Sequence, residues 1–488
     1  MTLKETFPLI FVLNLGRRAD RRGEIEWQLA EANIDAERFP SIDARYVKSA
    51  RGYKTKPKYA LALSKRLAIR EARKRGAESV LILEDDVLFH PNLHSLFERL
   101  ELPDDWGLFF FGCSHERRPE VVSSGLVKIT YAVDNHAFAV HSRYYNQLIR
   151  AMDLLPAIRS GEDLEIGLAS DRIIADLQKT IPTYAAAPNL AWQAETHSDL
   201  VGKKYSLYSP SGTPKNYIDL NRSVLNEMVT GEKEARRPKL ALLFLTRGDV
   251  NHPKIWEEWI AQSPDDVRVF SHSENLENIT SDVLSGTQID QQEDTAWGDI
   301  SLVRATVALL KAALEDETIT HFALVSESCV PVRPLGEVLR RLYFDPRPQF
   351  NPLPFEKSPK RFRVKVAKIN SLPSELWRFH SQWILFDRTT AILSTRNDYT
   401  SLMESMMAPD ETYFGTVLHM EGYPLDDFVF SEKLTWTHWQ KDAGSPDAHQ
   451  SISPKHLSEI VSGHYLFARK FPSSSDIGKH GLHQPPAN

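Results

Sequence analysis

The sequence predicts an α/β protein built on mostly parallel sheets, and three observations predict it. Short apolar runs bounded by polar or turn residues recur at Leu9–Leu13, Val80–Leu83, Leu240–Leu245 and Phe322–Val325, the pattern of buried strands. Apolar residues at helical spacing precede the second and the fourth run: Ala60, Leu63, Leu67, Ala68 and Ala72 in one case, Leu302, Leu309 and Ala313 in the other. An acidic turn then follows the strand, Glu84-Asp85-Asp86 in the first half and Ser326-Glu327-Ser328 in the second. Helices alternating with short buried strands imply a parallel sheet with crossover helices. Such sheets take ligands outside the carboxyl ends of their strands, where both acidic turns should lie.

At 488 residues the chain is long enough for about three average domains, or two large ones. The 42% apolar and 25% charged content is that of a soluble globular protein with a sizeable core. A net charge of −6 gives no support for a nucleic-acid partner, whose phosphate backbone calls for a basic surface. Cys113 and Cys329, the two cysteines, make no disulfide framework and fit a reducing compartment. The run Phe7–Leu13 contains Pro8 and is too short for a signal peptide or for a membrane helix of about 20 residues. A cytoplasmic protein with no membrane span is expected.

The boundaries follow from composition. A first domain is expected over residues 1–205 and a second over 238–471. Residues 206–237 read as a linker, because turn formers fill Ser206–Lys215 and charges fill Gly231–Pro238. The Ser- and Pro-containing stretch 472–488 reads as a flexible tail. Gly76 is placed to end the first helix, and the basic run Arg17–Arg22 follows the first strand.

On an extended chain residues i and i+2 point to the same side, so Glu84 and Asp86 can hold one divalent cation between them. Carboxylate oxygens suit Mg²⁺ or Mn²⁺, which commonly binds through one or two carboxylates plus substrate phosphates. Three acids alone are equally a solvated strand end. The surrounding motifs add weight: Phe11–Arg22, Leu-Glu-Asp-Asp-Val at Leu83–Val87, Asn135-His136-Ala137-Phe138 with Ser142-Arg143, and Ala169-Ser170-Asp171 followed by Ala187-Pro188, Trp192-Gln193 and Ser198-Asp199. In these motifs, over roughly residues 7–200, the sequence resembles family 25 glycosyltransferases, the lipopolysaccharide and collagen galactosyltransferases. The resemblance implies a Rossmann-like, A-type transferase domain with a nucleotide-sugar donor and Mn²⁺ (or Mg²⁺) on Glu84, Asp85 and Asp86. Arg18 is then a donor contact, and Asp171 is a candidate general base or an ordinary helix-start acid. The sequence departs from the family at Ser64-Lys65, where the family has Ser-His.

The acidic turn of the second half has one acid rather than three, a poor metal site. Its motifs run in order: Phe244–Arg247, Trp297-Gly298, Ser326–Pro331, Gln382-Trp383, Pro409-Asp410-Glu411, Trp439 and Phe467–Phe471. This series resembles family 14 glycosyltransferases, which include core-2/I-branching N-acetylglucosaminyltransferases and peptide xylosyltransferases. The resemblance implies a second A-type domain in tandem, acting by metal-independent inverting displacement. Glu411 maps onto the general base and Lys470 onto the diphosphate-binding cation, with Arg469 beside it. Glu327 and Trp297 join the expected donor site, and Trp383 and Trp439 the acceptor site. The chemistry is sound on its own terms. A carboxylate that takes the acceptor's proton contributes about 10²–10⁴-fold, and a preorganised ammonium stabilises a departing diphosphate. Taken alone, Pro409–Glu411 is also a fair helix start and Lys470 a surface charge. Lys455 or Arg247 is open as a second phosphate ligand. Trp436 and Trp439 read as a sugar platform or as core, and Cys329 as an inert core thiol.

His141, His197 and His464 belong to no zinc-binding spacing. No phosphate-loop or nucleophile-elbow motif occurs. The expectation is a bifunctional glycosyltransferase with UDP-sugar donors and a glycan or glycoconjugate acceptor, a lipid-linked one included. The alternative is a catalytic second domain beside a first domain that binds glycan or serves as scaffold. A glycoside hydrolase, which also uses paired carboxylates, has no need of a cation at a diphosphate.

Overall fold

A computed structural model of the chain describes residues 2–90, 92–153, 169–194, 196–198, 203–205, 215–233, 236–366, 372–440, 445–478 and 482. It divides into two units, Met1–Lys233 and Glu234–Asn488.

In the first unit the described strands are β1 (Leu9–Asn14), β2 (Glu37–Pro40), β3 (Ser79–Glu84), β4 (Val87–Phe89), β5 (Leu108–His115), β6 (Glu120–Ser123), β7 (Leu126–Lys128), β8 (Ala132–His141), β9 (Thr183–Ala186), β10 (Ala191–Gln193), β11 (Thr196–Ser198) and β12 (Lys203–Tyr205). Eight of them form one sheet in the order β2-β1-β3-β8-β5-β9-β7-β6. The expected parallel pairs are present where β1 meets β2 and β3. The expectation of a mostly parallel sheet is corrected by β8, which runs antiparallel to both β3 and β5, and by β7, antiparallel to β9 and β6. Antiparallel neighbours need no crossover helix, so helix–strand alternation gave no sign of them.

Both faces of this sheet are buried, which is why its strands read as continuous apolar runs. Leu9, Phe11, Leu13, Val80, Ile82 and Phe110 enter one core cluster, and Ile10, Val12, Leu81, Leu83 and Phe109 enter another. The first cluster is covered by the helix Lys56–Lys74, capped at its start by Thr55. Gly76, just beyond its end, takes a left-handed φ of +68°.

The linker expectation is corrected. Residues 206–214 lie outside the described residues, but Lys215–Thr230 is a helix of the first unit. Its Val224 belongs to the first core cluster, with Met228 packed against it. Arg118 ties the helix down through Ser223 and Glu227, both at 2.6 Å. Apolar residues at spacing four are the sign within an otherwise polar stretch.

The second unit carries β13 (Leu240–Thr246), β14 (Val267–Ser273), β15 (His321–Val325), β16 (Val330–Pro331), β17 (Leu353–Pro354), β18 (Arg378–Phe379), β19 (Leu385–Asp387), β20 (Thr435–Thr437) and β21 (Phe467–Arg469). Its described sheet runs β14-β13-β15-β19, parallel except for β19. A smaller sheet orders β16-β21-β20. The helix Pro253–Ile260 buries Trp256 and Trp259. Trp256 meets Phe244 edge-on at 5.0 Å and donates its indole N–H to the Cys329 carbonyl at 3.1 Å. The tail expectation is partly corrected, because Ile477 and Leu482 pack against the cluster around Trp436 and Phe471. Most of 479–488 lies outside the described residues. Among the described residues no helix is long and apolar enough to cross a membrane.

Candidate active sites

In the first unit, β3 delivers Glu84 at its end and β4 begins at Val87, so Asp85 and Asp86 form the tight turn between. Asp85 is buried and claimed by protein: Arg21 Nη1 reaches its Oδ1 at 2.8 Å and Asn14 Nδ2 its Oδ2 at 2.7 Å. Burial pushes the Asp85 carboxyl up, against the pull of Arg21. Both oxygens of Asp85 are thus engaged by protein groups. Glu84 accepts from Lys65 Nζ at 2.7 Å, and Lys65 also donates to the Asn135 carbonyl at 3.1 Å. Asp86 is one-tenth exposed and 3.2 Å from Arg21. Its carboxyl is pushed up to about 7, chiefly by burial and then by the charge of Glu84.

Some of the motifs quoted above meet at this turn, whereas Ser142-Arg143 lies at the opposite end of β3, where Ser142 N donates to the Glu78 carbonyl at 2.7 Å. Strand β10 pairs with β4, Gln193 opposite Val87, which places the Gln193 amide 3.5 Å from Asp86. His136 Nε2 lies 3.3 Å from the Ala191 carbonyl, and burial lowers its imidazole to about 4. Asp171 sits in the first turn of the helix Ser170–Leu177, where its Oδ1 accepts from the Arg172 N–H at 2.9 Å. Arg18 pairs with Asp20 at 2.7 Å, and its carbonyl accepts from Asn14 at 3.1 Å. Arg18 thus shapes the turn beside Asp85, and its guanidinium is already engaged by a carboxylate. Asp199 lies outside the described residues.

Three residues of this site escaped the sequence reading. Arg21 stood in the quoted basic run without a role. Lys65, noted only as a departure, is the buried partner of Glu84. Asp134 takes a left-handed φ of +63°, uncommon outside glycine. Burial pushes its carboxyl up to about 7, opposed by a hydrogen bond from Ser114 and reinforced by Asp171 and Glu84. Asp134 therefore lies within electrostatic reach of both Asp171 and Glu84. Among the described residues no group of three His, Cys, Asp or Glu is arranged to hold a metal ion.

In the second unit, cations gather at the strand ends. Arg247 follows β13 and Glu327 follows β15. Lys470 follows β21, and its amine is lowered by burial and by Arg469 and Arg247, with Glu327 opposing. Arg469 is half-buried, its guanidinium carbon 4.3 Å from the centroid of the Trp383 ring. Trp383 is only 5% exposed, so its expected role as an acceptor platform is corrected: Arg469 covers the ring. Trp436 is buried too, with His449 and His456 rings each 5.2 Å away. Trp439 remains 41% exposed. Cys329 is a buried thiol pushed up by its burial.

Glu411 ends the short turn Pro409–Glu411, whose preceding residue, Ala408, has a left-handed φ of 57°. The Glu411 carbonyl accepts from the His380 N–H at 2.7 Å. Trp383 lies three steps along the chain from His380, a reach of about 10 Å when fully extended. Glu411 and the Arg469–Lys470 pair are thus joined through one short segment. Trp297 is 74% exposed and stands on the Glu411 side. The Gly298 carbonyl accepts from Ala408 N at 2.8 Å, and Glu411 N donates to the Ala408 carbonyl at 3.3 Å. Lys455 lies in the helix Pro454–Ser462.

The class to which this second site is similar comes from the sequence comparison. Residues 240–461 match the family model described as Core-2/I-Branching enzyme, within the stretch that carries the family 14 motifs. A particular relative is Glycosyltransferase BC10 of Oryza sativa subsp. japonica, 24% identical over 231 residues. That alignment takes in 46% of this chain, and the chain spans about half (52%) of the length of that curated relative.

Solved structures give weaker likenesses. A glycosyltransferase involved in glycosylation of the major capsid of PBCV-1 is 15% identical, with 31% of this chain and 69% of that one covered, at a TM-score of 0.22. The galactosyltransferase LgtC is 11% identical, with 37% and 70% covered, at 0.24. The glycosyltransferase GlyE of Streptococcus pneumoniae TIGR4 is 12% identical, with 62% and 76% covered, at 0.24. Scores this low do not define the fold of this chain.

Proposed function

We propose that the chain is a glycosyltransferase whose second unit moves a sugar from a nucleotide donor, UDP-linked by the family expectation, to a hydroxyl of a glycan or glycoconjugate. Glu411 takes the acceptor proton as the new C–O bond forms. Lys470, with Arg469 and Arg247 near it, holds the departing diphosphate. Water is kept from Arg469 by Trp383, which strengthens the field of the cation. Attack from the face opposite the leaving group inverts the anomeric centre, and no metal enters this step. The observation that carries the reading is the His380–Trp383 segment, which bonds Glu411 at one end and stacks on Arg469 at the other. Glu411→Gln should lower turnover about 10²–10⁴-fold while nucleotide-sugar binding is kept. Normal turnover in that variant would sink the proposal.

For the first unit we propose a second nucleotide-sugar site at Glu84 and Asp86, of the family 25 kind. A carboxyl pushed up by burial and then by a neighbouring carboxylate is a group whose ionised form a divalent cation would stabilise, so Mn²⁺ or Mg²⁺ would be held by Glu84 and Asp86. The cation would supply positive charge for a diphosphate. Arg21 would orient the turn, and Asp171 or Asp134 would be placed to take a proton. A second reading, a glycan-binding or scaffold unit, is favoured by Lys65, which already neutralises Glu84. Nucleotide-sugar hydrolysis with Mn²⁺ or with EDTA in Asp86→Asn decides between them. Metal-dependent hydrolysis lost in the variant supports the catalytic reading, and none in either protein supports the scaffold. A reducing, cytoplasmic setting belongs to the same proposal.

A further inference from the structure

Two exposed features border the Pro409–Glu411 turn. The first is apolar. Trp297 is 74% and Met407 59% exposed, and they are tied together. Gly298 has a φ of +74°, and a Cβ added to it would lie 3.7 Å from the Met407 Cγ. The hydrogen bond from Ala408 N to the Gly298 carbonyl fixes this pair three residues before Glu411.

The second feature is a cation. Arg361 Nη2 lies 3.8 Å from Glu411 Oε2, with its side chain 58% exposed. That separation is beyond hydrogen-bond range, and an exposed pair of this kind contributes little. Turning Arg361 toward another anion is therefore cheap. The helix that carries it, Lys360–Val366, is held by buried Phe362, whose ring lies 5.3 Å from that of Phe379 and 6.5 Å from that of Trp377. Arg363 secures the start of the helix through the Glu356 and Ser358 carbonyls. Lys357, Lys360 and Arg361 are left exposed. This basic surface stands out in a chain whose net charge is −6.

We infer that the acceptor is an acidic saccharide carrying a uronic-acid carboxylate, with its carboxylate on Arg361 and a sugar ring on Trp297 beside Met407, which moves Trp297 from the expected donor site to the acceptor side. The inference rests on the reading of Glu411 as the base, because that residue fixes where the acceptor must lie. An indole face is a broad surface for the C–H face of a pyranose, and it stays solvated until something covers it. A guanidinium presents a planar fork that matches a carboxylate in two parallel hydrogen bonds, which favours a uronate over a neutral sugar.

Calorimetric binding to the full chain tests this without depending on turnover. The probes are an oligogalacturonate and its carboxyl-reduced counterpart of equal length. The acidic oligomer should bind at least tenfold tighter, and the margin should shrink as salt is raised. Arg361→Ala should bring its affinity down to that of the reduced oligomer, and Arg361→Glu should push it lower. Trp297→Ala should weaken both oligomers alike. Equal binding of the two oligomers, binding of neither, or an Arg361→Glu variant that keeps the preference overturns the inference. The turnover of Glu411→Gln is read separately, so failure of the base assignment and failure of the acceptor assignment are distinguishable.

Discussion

Lys65 holds its ammonium 2.7 Å from the Glu84 carboxylate, and no part of the Lys65 side chain is exposed to solvent. A buried ammonium is tolerated only when paired and hydrogen-bonded, and the Asn135 carbonyl supplies the further bond. The end of β3 is therefore bridged to β8 by Lys65 of the helix Lys56–Lys74.

Breaking this pair from one side should cost far more than removing it. Lys65→Met leaves Glu84 with an uncompensated, largely buried charge and should destabilise the first unit by about 3–5 kcal/mol. Adding Glu84→Gln should recover much of that loss. Urea-denaturation midpoints of the two variants check this. Equal loss in the single and the double variant would contradict it.

Asp86 sets a pH dependence. Its carboxyl rises from 3.8 to about 7 on folding, so the folded chain binds the proton more tightly than the unfolded one. Its contribution is full below pH 3.8 and is lost as pH rises to about 7. Unfolding free energies measured from pH 5 to 8 should therefore fall less steeply in Asp86→Asn than in the native chain. If Asp86 and Glu84 hold a divalent cation, Mn²⁺ should raise the melting temperature at pH 8 more than at pH 5, and should do neither in the variant.

Lys470 should govern donor affinity. Hydrogen bonds to charged groups contribute about 1.5–3 kcal/mol, so Lys470→Ala should weaken nucleoside-diphosphate binding by roughly 10–100-fold. The amine is already lowered by burial and by its cationic neighbours. Binding should thus fade at a lower alkaline pH than an exposed lysine would give, and calorimetry across pH 7 to 10 reads this directly.

Ala408 bears strain next to the proposed base. A left-handed conformation costs an alanine about 1–2 kcal/mol, and such strain persists where the surroundings fix a functional geometry. Ala408→Gly should raise stability by up to about 1 kcal/mol, the relief offset in part by the greater freedom of glycine when unfolded. Turnover should fall if the strain holds Glu411 in place. Denaturant midpoints and steady-state rates in the same variant separate the two effects.

The strands β1, β3, β13 and β15 were legible because they are buried along almost their whole length, which turns a strand into a plain apolar run. The helix ahead of β3 was legible from its spacing and from Gly76. The insertion of β8 between β3 and β5 was not, since strand order depends on contacts far apart in sequence and an antiparallel neighbour has no helix to announce it. At the sites, the acids and the Pro409–Glu411 turn could be read because their chemistry is local. Their partners could not: Arg21 reaches Asp85 across 64 positions, and Lys65 reaches Asn135 across 70. Trp383 shows the converse, a residue expected to face an acceptor that is instead covered by Arg469, because sequence does not tell which aromatic face another side chain covers.

The helix Lys215–Thr230 has a practical bearing on dissecting the gene. A fragment stopped after Tyr205 would lose Val224 and Met228 from the core and leave Arg118 without Ser223 and Glu227, inviting aggregation that is easily mistaken for an inactive enzyme. A stop codon after Lys233 keeps that lid of apolar side chains in place, and a companion fragment starting at Glu234 opens just ahead of its own first strand. Separate expression of the two halves should succeed with that cut and fail with the earlier one.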